Sequence, residues 1–241
     1  MSESYETFSL DDIDASILQE SSRFKAKDGE SYRVSFAWFP LDEDGFLQGG
    51  VTPKFIKASR HYVEGNGYII SQGAEWDQLA STYGSKGKKL AFGSVIIVWP
   101  TDRDGAVEKS KLATGWKVQT VILDKNKFST LLKIHNEWNL SEVDINISCP
   151  TGGGQYQKLN FMNCKENLLA KIMSSDNAEL KAKISKAVAD AGANVRNDLG
   201  RDVTIPQLKS MFGLASSEFK TSSLSNDDVN DLLSDTTDFD L

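Results

Sequence analysis

Cysteine, histidine and proline are scarce: the 241 residues hold two, two and five of them. Cys149 and Cys164 each lie in or beside an apolar, strand-like segment, which fits buried free thiols better than a disulfide or a metal pair. His61 and His135 are far apart, and neither has a Cys or His neighbour at ligand spacing. No zinc motif exists, and no metal or other cofactor is expected. Long apolar runs are missing too. The longest, Val95 to Trp99, falls far short of a membrane span, and MSESYETFSL is acidic where a signal peptide is basic and then apolar. A cytoplasmic protein is the expectation. The motifs of enzymes are equally thin. GSKGKK and TGGGQYQK are Gly-rich but lack the GxxxxGK[ST] order of a phosphate-cradling loop, and neither HExxH nor GxSxG occurs. The scattered acids lack the close spacing of a metal-dependent nuclease, so a non-enzymatic protein is expected.

Basic residues are absent from both ends. The first twenty residues carry six acids (Glu3, Glu6, Asp11, Asp12, Asp14, Glu20) and no base, and the last twenty-one carry six aspartates and no base. The body from Ser21 to Lys220 therefore holds 27 bases against 22 acids, although the whole chain has a net charge of −7. A basic body with acidic arms points to a polyanion partner. Between Val51 and Lys117 the bases Lys54, Lys57, Arg60, Lys86, Lys88, Lys89, Arg103, Lys109, Lys111 and Lys117 outnumber the acids and alternate with aromatics, a pattern that favours nucleic acid.

The terminal segment TSSLSNDDVNDLLSDTTDFDL is more than a solvating tail. Val229, Leu232 and Leu233 sit at i, i+3 and i+4, the spacing of one short amphipathic helix formed on a partner. Asp238, Phe239, Asp240 and Leu241 end the chain with apolar groups set among acids. Alone, so few apolar groups cannot offset the entropy of ordering, and the tail is expected to be disordered.

Between the arms, strand and helix signals alternate. Ser9 and Asp12 open a short helix whose stripe is Ile13, Ile17 and Leu18. YRVSFAWF from Tyr32 reads as a strand stopped by Pro40. Phe55 to Val63 and Tyr68 to Ser71 read as extended segments around the turn EGNG, and Ala74 to Tyr83 as a helix with Trp76, Leu79, Ala80 and Tyr83 at helical spacing. LAFGSVIIVWP and GWKVQTVIL form a long hairpin across a turn-rich loop. Helical spacing returns at Phe128, Leu131, Leu132 and His135, followed by strands in VDINISCP and YQKLNFM. Helices follow over Leu168 to Met173 and Leu180 to Ala191, with a last short one after Pro206.

These elements predict an α+β protein, mainly β with appended helices. Five or more short strands with one helix before the closing strands fit an OB-fold-like barrel, and a β-sandwich fits nearly as well. The expected organisation is an acidic arm with its helix over 1–24, a barrel core over 25–175, a helical appendage over 176–220 and a disordered partner-binding tail over 221–241.

The order of segments resembles the single-stranded DNA-binding proteins of T-even bacteriophages. The resemblance rests on YRVSFAWFP, KGKK leading into GSVIIVWP, GWKVQTVIL, VDINISCP with its Gly-rich turn, and the acidic-apolar tail, spread over Ser31 to Met173 plus the terminus. It implies sequence-tolerant binding of single-stranded DNA in a basic, aromatic-lined cleft, in a host cell's cytoplasm. Its tail implies recruitment of replication, recombination and repair proteins. Two departures are plain. No Cys/His cluster stands where that family holds structural zinc, and the N-terminal arm, basic in that family and used for self-association along DNA, is acidic here.

For such binding, lysines and arginines neutralise phosphates while aromatics stack on bases without reading them. The phosphate candidates are Lys54, Lys57, Arg60, Lys86, Lys88, Lys89, Lys111 and Lys117. The stacking candidates are Tyr62, Tyr68, Trp76, Tyr83, Phe92 and Trp116, although Trp76 and Tyr83 equally suit the packed face of a helix. Phe36, Trp38, Phe55 and Trp99, inside apolar runs, read as core. The rival reading is a non-enzymatic protein-interaction or DNA-mimic regulator whose acidic arms stand in for DNA.

Overall fold

The computed structural model describes residues 23–84, 87–102, 106–152 and 158–214. The helix expected after Ser9, the loop residue Lys86, part of the TGGGQYQK segment and the tail, including Val229 to Leu241, lie outside them. Alternating and β-branched stretches form β1 (Ser31–Phe36), β2 (Ile56–Val63), β3 (Gly67–Ile70), β4 (Lys89–Val98), β5 (Lys117–Asp124), β6 (Ile145–Ser148) and β7 (Asn160–Asn163). The helices are α1 (Ala74–Tyr83), α2 (Lys125–Trp138), α3 (Leu168–Met173), α4 (Ala178–Leu199) and α5 (Ile205–Met211).

All seven strands belong to one antiparallel sheet, ordered β3-β2-β4-β1-β6-β7, with β5 pairing β4. One edge of β4 serves two strands in succession: Ile56 to Arg60 pair with Gly93 to Lys89, and Val34 to Phe36 pair with Val98 to Ile96. The other edge pairs with β5 along its whole length, from Ala91 opposite Asp124 to Val98 opposite Lys117. At the handover the Ala37 amide donates to the Val95 carbonyl and the Ser94 hydroxyl donates to the Lys54 carbonyl, so the buried polar groups there keep partners. The β2–β3 hairpin turns at EGNG, where Gly65 and Gly67 take φ of 72° and 78° and the Asn66 amide caps the Val63 carbonyl.

The ladder ends at β3 and β7, which do not pair, so the sheet is not closed. On one face Val34, Ile96, Val121, Leu123, Ile145 and Ile147 from four strands form one core with Phe24 and with Leu131 of α2. A single sheet stands in place of the two that the sandwich alternative needs.

The opposite face carries a second core formed with α3 and α4. Helix α4, expected as an appendage, is a wall of the protein: Ile184, Val188, Val195 and Leu199 are buried against the sheet. Glycine permits this approach. A Cβ at Gly93 of β4 would stand 2.7 Å from Val195 Cγ1, and one at Gly192 of α4 would stand 2.6 Å from Trp38 Nε1. A third cluster packs α1 and α5 on the β2–β3 hairpin through Val63, Ile69, Trp76, Ala80, Val203 and Leu208.

A buried polar chain ties β4, β1, β6 and α3. Trp99 Nε1 donates to Ser35 Oγ at 2.8 Å, and Ser35 donates to Asp144. Asp144 also accepts from Arg33 Nε at 2.8 Å and from the Leu168 amide at 3.1 Å. Burial pushes the Asp144 carboxyl above the usual carboxylate range, against the pull of Ser35, Arg33 and Leu168. Removing one partner strands the others. Asp144→Ala is therefore expected to cost about 3–5 kcal/mol in urea denaturation. A loss below about 1 kcal/mol would show that the network does not hold these elements together.

Candidate nucleic-acid interface

Strand register decides which sequence candidates share a surface. In β2, Lys57, Ser59, His61 and Val63 alternate onto one face, and Ile56, Ala58, Arg60 and Tyr62 onto the other. Lys57 lies opposite Phe92, and Ser59 opposite Leu90, so these four occupy one patch of the β2–β4 surface. Lys57 is exposed and the other three are partly so. On one side of this patch α2 delivers Phe128, whose ring stacks on Phe92 with centroids 3.8 Å apart and planes 4° apart. Phe55 meets Phe128 edge-on at 5.2 Å and continues toward Phe36 at 5.5 Å, anchoring the stack in the core. Helix α2 is held there by Asp124, whose side chain accepts from the Lys127 amide as N-cap. Burial opposes ionisation of Asp124, but the Lys127 side chain and amide outweigh it and hold the carboxyl below its usual range.

On the other side stands α1, which covers His61 and Val63. His61 Nε2 lies 2.9 Å from Asp77 Oδ1, and Lys88 Nζ lies 2.6 Å from Asp77 Oδ2. This places Lys88 on the same side of the sheet as Lys57. The result is a strip between two helices: Lys88 at the α1 edge, Ser59, Leu90 and Lys57 on the floor, and the Phe92–Phe128 stack at the α2 edge.

The remaining candidates lie elsewhere. Arg60 is only 7% exposed; its guanidinium sits 3.7 Å above the Tyr68 ring, and Nη1 donates to the Leu199 carbonyl at 2.8 Å. That is a structural cation, and it corrects the expectation of a phosphate contact. Trp76 is 1% exposed and donates to the Val203 carbonyl, which makes it core, not platform. Tyr62 and Tyr68 meet edge-on at 5.3 Å on the α4 face, and Lys89, opposite Arg60, has the register of that face too. Tyr83 is exposed at the end of α1, with Phe212, just after α5, at 6.0 Å. Lys54 is exposed just before β2. Lys111, Trp116 and Lys117 lie at the other end of the β4–β5 hairpin, six residues or about 20 Å along the strands from Phe92. There Lys111 pairs with Glu108 at 2.6 Å, and Trp116 donates to the Ala113 carbonyl while packing on the α4-side core.

Phe128, Ser59 and Asp77 were not among the sequence candidates. The apolar spacing of α2 marked Phe128 as a packing residue, but only the fold sets it against Phe92. A cavity of about 390 Å³ lies away from the strip, lined by Phe39, Leu47, Ser141, Met173 and Lys181 with Asp42 at its rim. Cys149 and Cys164 are free thiols. Among the described residues no group of three or more His, Cys, Asp and Glu is placed to hold a metal, and no helix is long and apolar enough to cross a membrane. No protein-family model matches the chain, nor does any curated protein or solved structure.

Arg60→Ala removes a charged hydrogen bond and a ring contact, so a loss of about 1.5–3 kcal/mol in urea denaturation is expected. Unchanged stability would return Arg60 to the list of surface cations.

Proposed function

We propose that this chain is a sequence-nonspecific single-stranded DNA-binding protein, and that the strand lies along the β2–β4 strip between α1 and α2. The observation that carries this reading is the pairing of exposed Lys57 with the partly exposed Phe92–Phe128 stack. A cation beside an aromatic platform is the minimum that such binding needs: one neutralises phosphate, the other accepts any base on its π-face. A base on Phe92 would extend a stack already fixed by Phe128 and Phe55. Lys88 stands at the α1 edge of the strip, Lys54 is exposed just before β2, and the surplus of bases in the body of the chain favours a polyanion there.

An OB-like barrel is the architecture that best suits this role. Supporting it, residues 23–30 run from β5 to β6: the Phe24 amide donates to the Thr120 carbonyl, and the Gly29 amide to the Cys149 carbonyl. They bridge β5 to the end of β6 over the shared core, where Phe24 and Ala26 are buried. Coating and protecting single strands during phage DNA replication, recombination and repair is the biological role proposed. The acidic tail, with Val229, Leu232, Leu233, Phe239 and Leu241 as apolar anchors, would recruit the partner proteins. The rival reading, a protein-interaction or DNA-mimic regulator, rests on the acidic arms and not on the strip, whose exposed residues include Lys57 and Lys88.

Anisotropy titration of labelled oligothymidylate over a series of salt concentrations tests the reading. Lys57→Ala is expected to weaken binding and flatten the salt slope by about 0.7. Phe92→Ala is expected to cost about 1–3 kcal/mol with the slope unchanged, and Phe92→Trp to restore it. Absence of salt-sensitive binding by the unaltered protein, or indifference to both substitutions, would reject the strip as the interface.

A further inference from the structure

Resting on that DNA-binding reading, we infer that Asp77 is a built-in competitor for phosphate: it holds Lys88 in an ion pair at the edge of the strip and thereby restrains both the affinity and its salt dependence. Asp77 is shaped for this. It lies in the first turn of α1, and its two oxygens are divided between His61 Nε2 at 2.9 Å and Lys88 Nζ at 2.6 Å. Burial opposes its ionisation, but hydrogen bonds from Lys88, Ser71 and His61 outweigh this and hold the carboxyl below its usual range. The competitor is thus a fixed carboxylate.

Exposure differs across the pair. The His61 side chain is fully buried and the Asp77 side chain is 17% exposed, whereas the Lys88 side chain is 50% exposed. His61 packs on the Trp76 ring at 5.4 Å, so the Asp77 end is anchored in the α1–α5 cluster. Lys88 is the more exposed partner and ends on a flexible four-carbon stem, so it is the member that can turn toward a phosphate. A phosphate approaching Ser59 and Lys57 meets Lys88 already neutralised and a carboxylate behind it. To gain the lysine it must displace Asp77, and the carboxylate then remains beside the strand as a like charge. Lys88 therefore contributes less than one full phosphate contact. The arrangement favours a strand that can be handed on over one held tightly.

The test is a double-mutant cycle on the full chain: the unaltered protein, Asp77→Asn, Lys88→Ala and both together, titrated with labelled oligothymidylate from low to moderate salt. Asparagine keeps an oxygen for His61, and thermal unfolding confirms that the fold is retained; Asp77→Ser serves as a second neutral variant. Asp77→Asn is expected to tighten binding roughly two- to fivefold at low salt and to steepen the salt slope by up to about 0.7, one additional phosphate neutralised. In the Lys88→Ala background the same substitution is expected to give no gain. Glu75→Gln, an exposed acid on the same helix, controls for loss of negative charge alone. Equal tightening with and without Lys88, or by Glu75→Gln, would show simple charge removal and overturn the inference. Unchanged affinity and slope in Asp77→Asn would overturn it as well, while leaving the DNA-binding reading intact if the unaltered protein binds. Failure of the unaltered protein to bind would remove both.

Discussion

A single strand with too many neighbours organises this protein. β4 offers two edges, and three strands use them, so one edge must pass from β2 to β1 within ten residues. The two limbs diverge at Ser94 and Val95, where the Lys54 carbonyl and the Ala37 amide close the hydrogen bonding. The β1–β6–β7 limb shares one core with α2, while the β2–β3 limb packs against α1 and α5. The strip carrying Lys57, Ser59, Leu90 and Phe92 lies where β2 still pairs with β4, between the helices each limb has recruited.

Rigidity on either side of the strip follows from different chemistry. On the α4 face it is steric: Gly93 and Gly192 let the helix approach the sheet and Trp38 so closely that a methyl group does not fit. At the far end of β4 it is polar, through the Trp99, Ser35, Asp144 and Arg33 chain. Buried networks of this kind are costly to half-satisfy, so they fix register as well as stability. A stacking platform benefits from both, since a fixed Phe92 loses little freedom when a base settles on it.

Much of this was legible in the residues. The apolar runs of β4 and β5, the EGNG turn and the stripe of α1 place those elements with boundaries close to the observed ones. The α4 stripe was visible as well, but not its partner: a helix late in the chain reads as an appendage until Gly93 of β4 is seen against Val195 and Gly192 of α4 against Trp38. Arg60 was misplaced because alternation tells which residues share a face but not which face is covered. Its cover comes from the Leu199 carbonyl and the Tyr68 ring, 139 and 8 positions away. Phe128 was missed for the converse reason. Its apolar spacing was plain, but the stack with Phe92 exists only because Asp124 caps α2 directly after β5.

The central claim is that the β2–β4 strip is where single-stranded DNA lies. Hydrogen exchange of the full chain with and without saturating oligothymidylate tests it most directly. The account predicts added protection in peptides covering β2 and the start of β4, with the first turns of α1 and α2, and none in the cavity-lining loop at residues 39–50. Protection confined to that loop or to the Lys111–Lys117 end of the hairpin, with β2 unchanged, would contradict it.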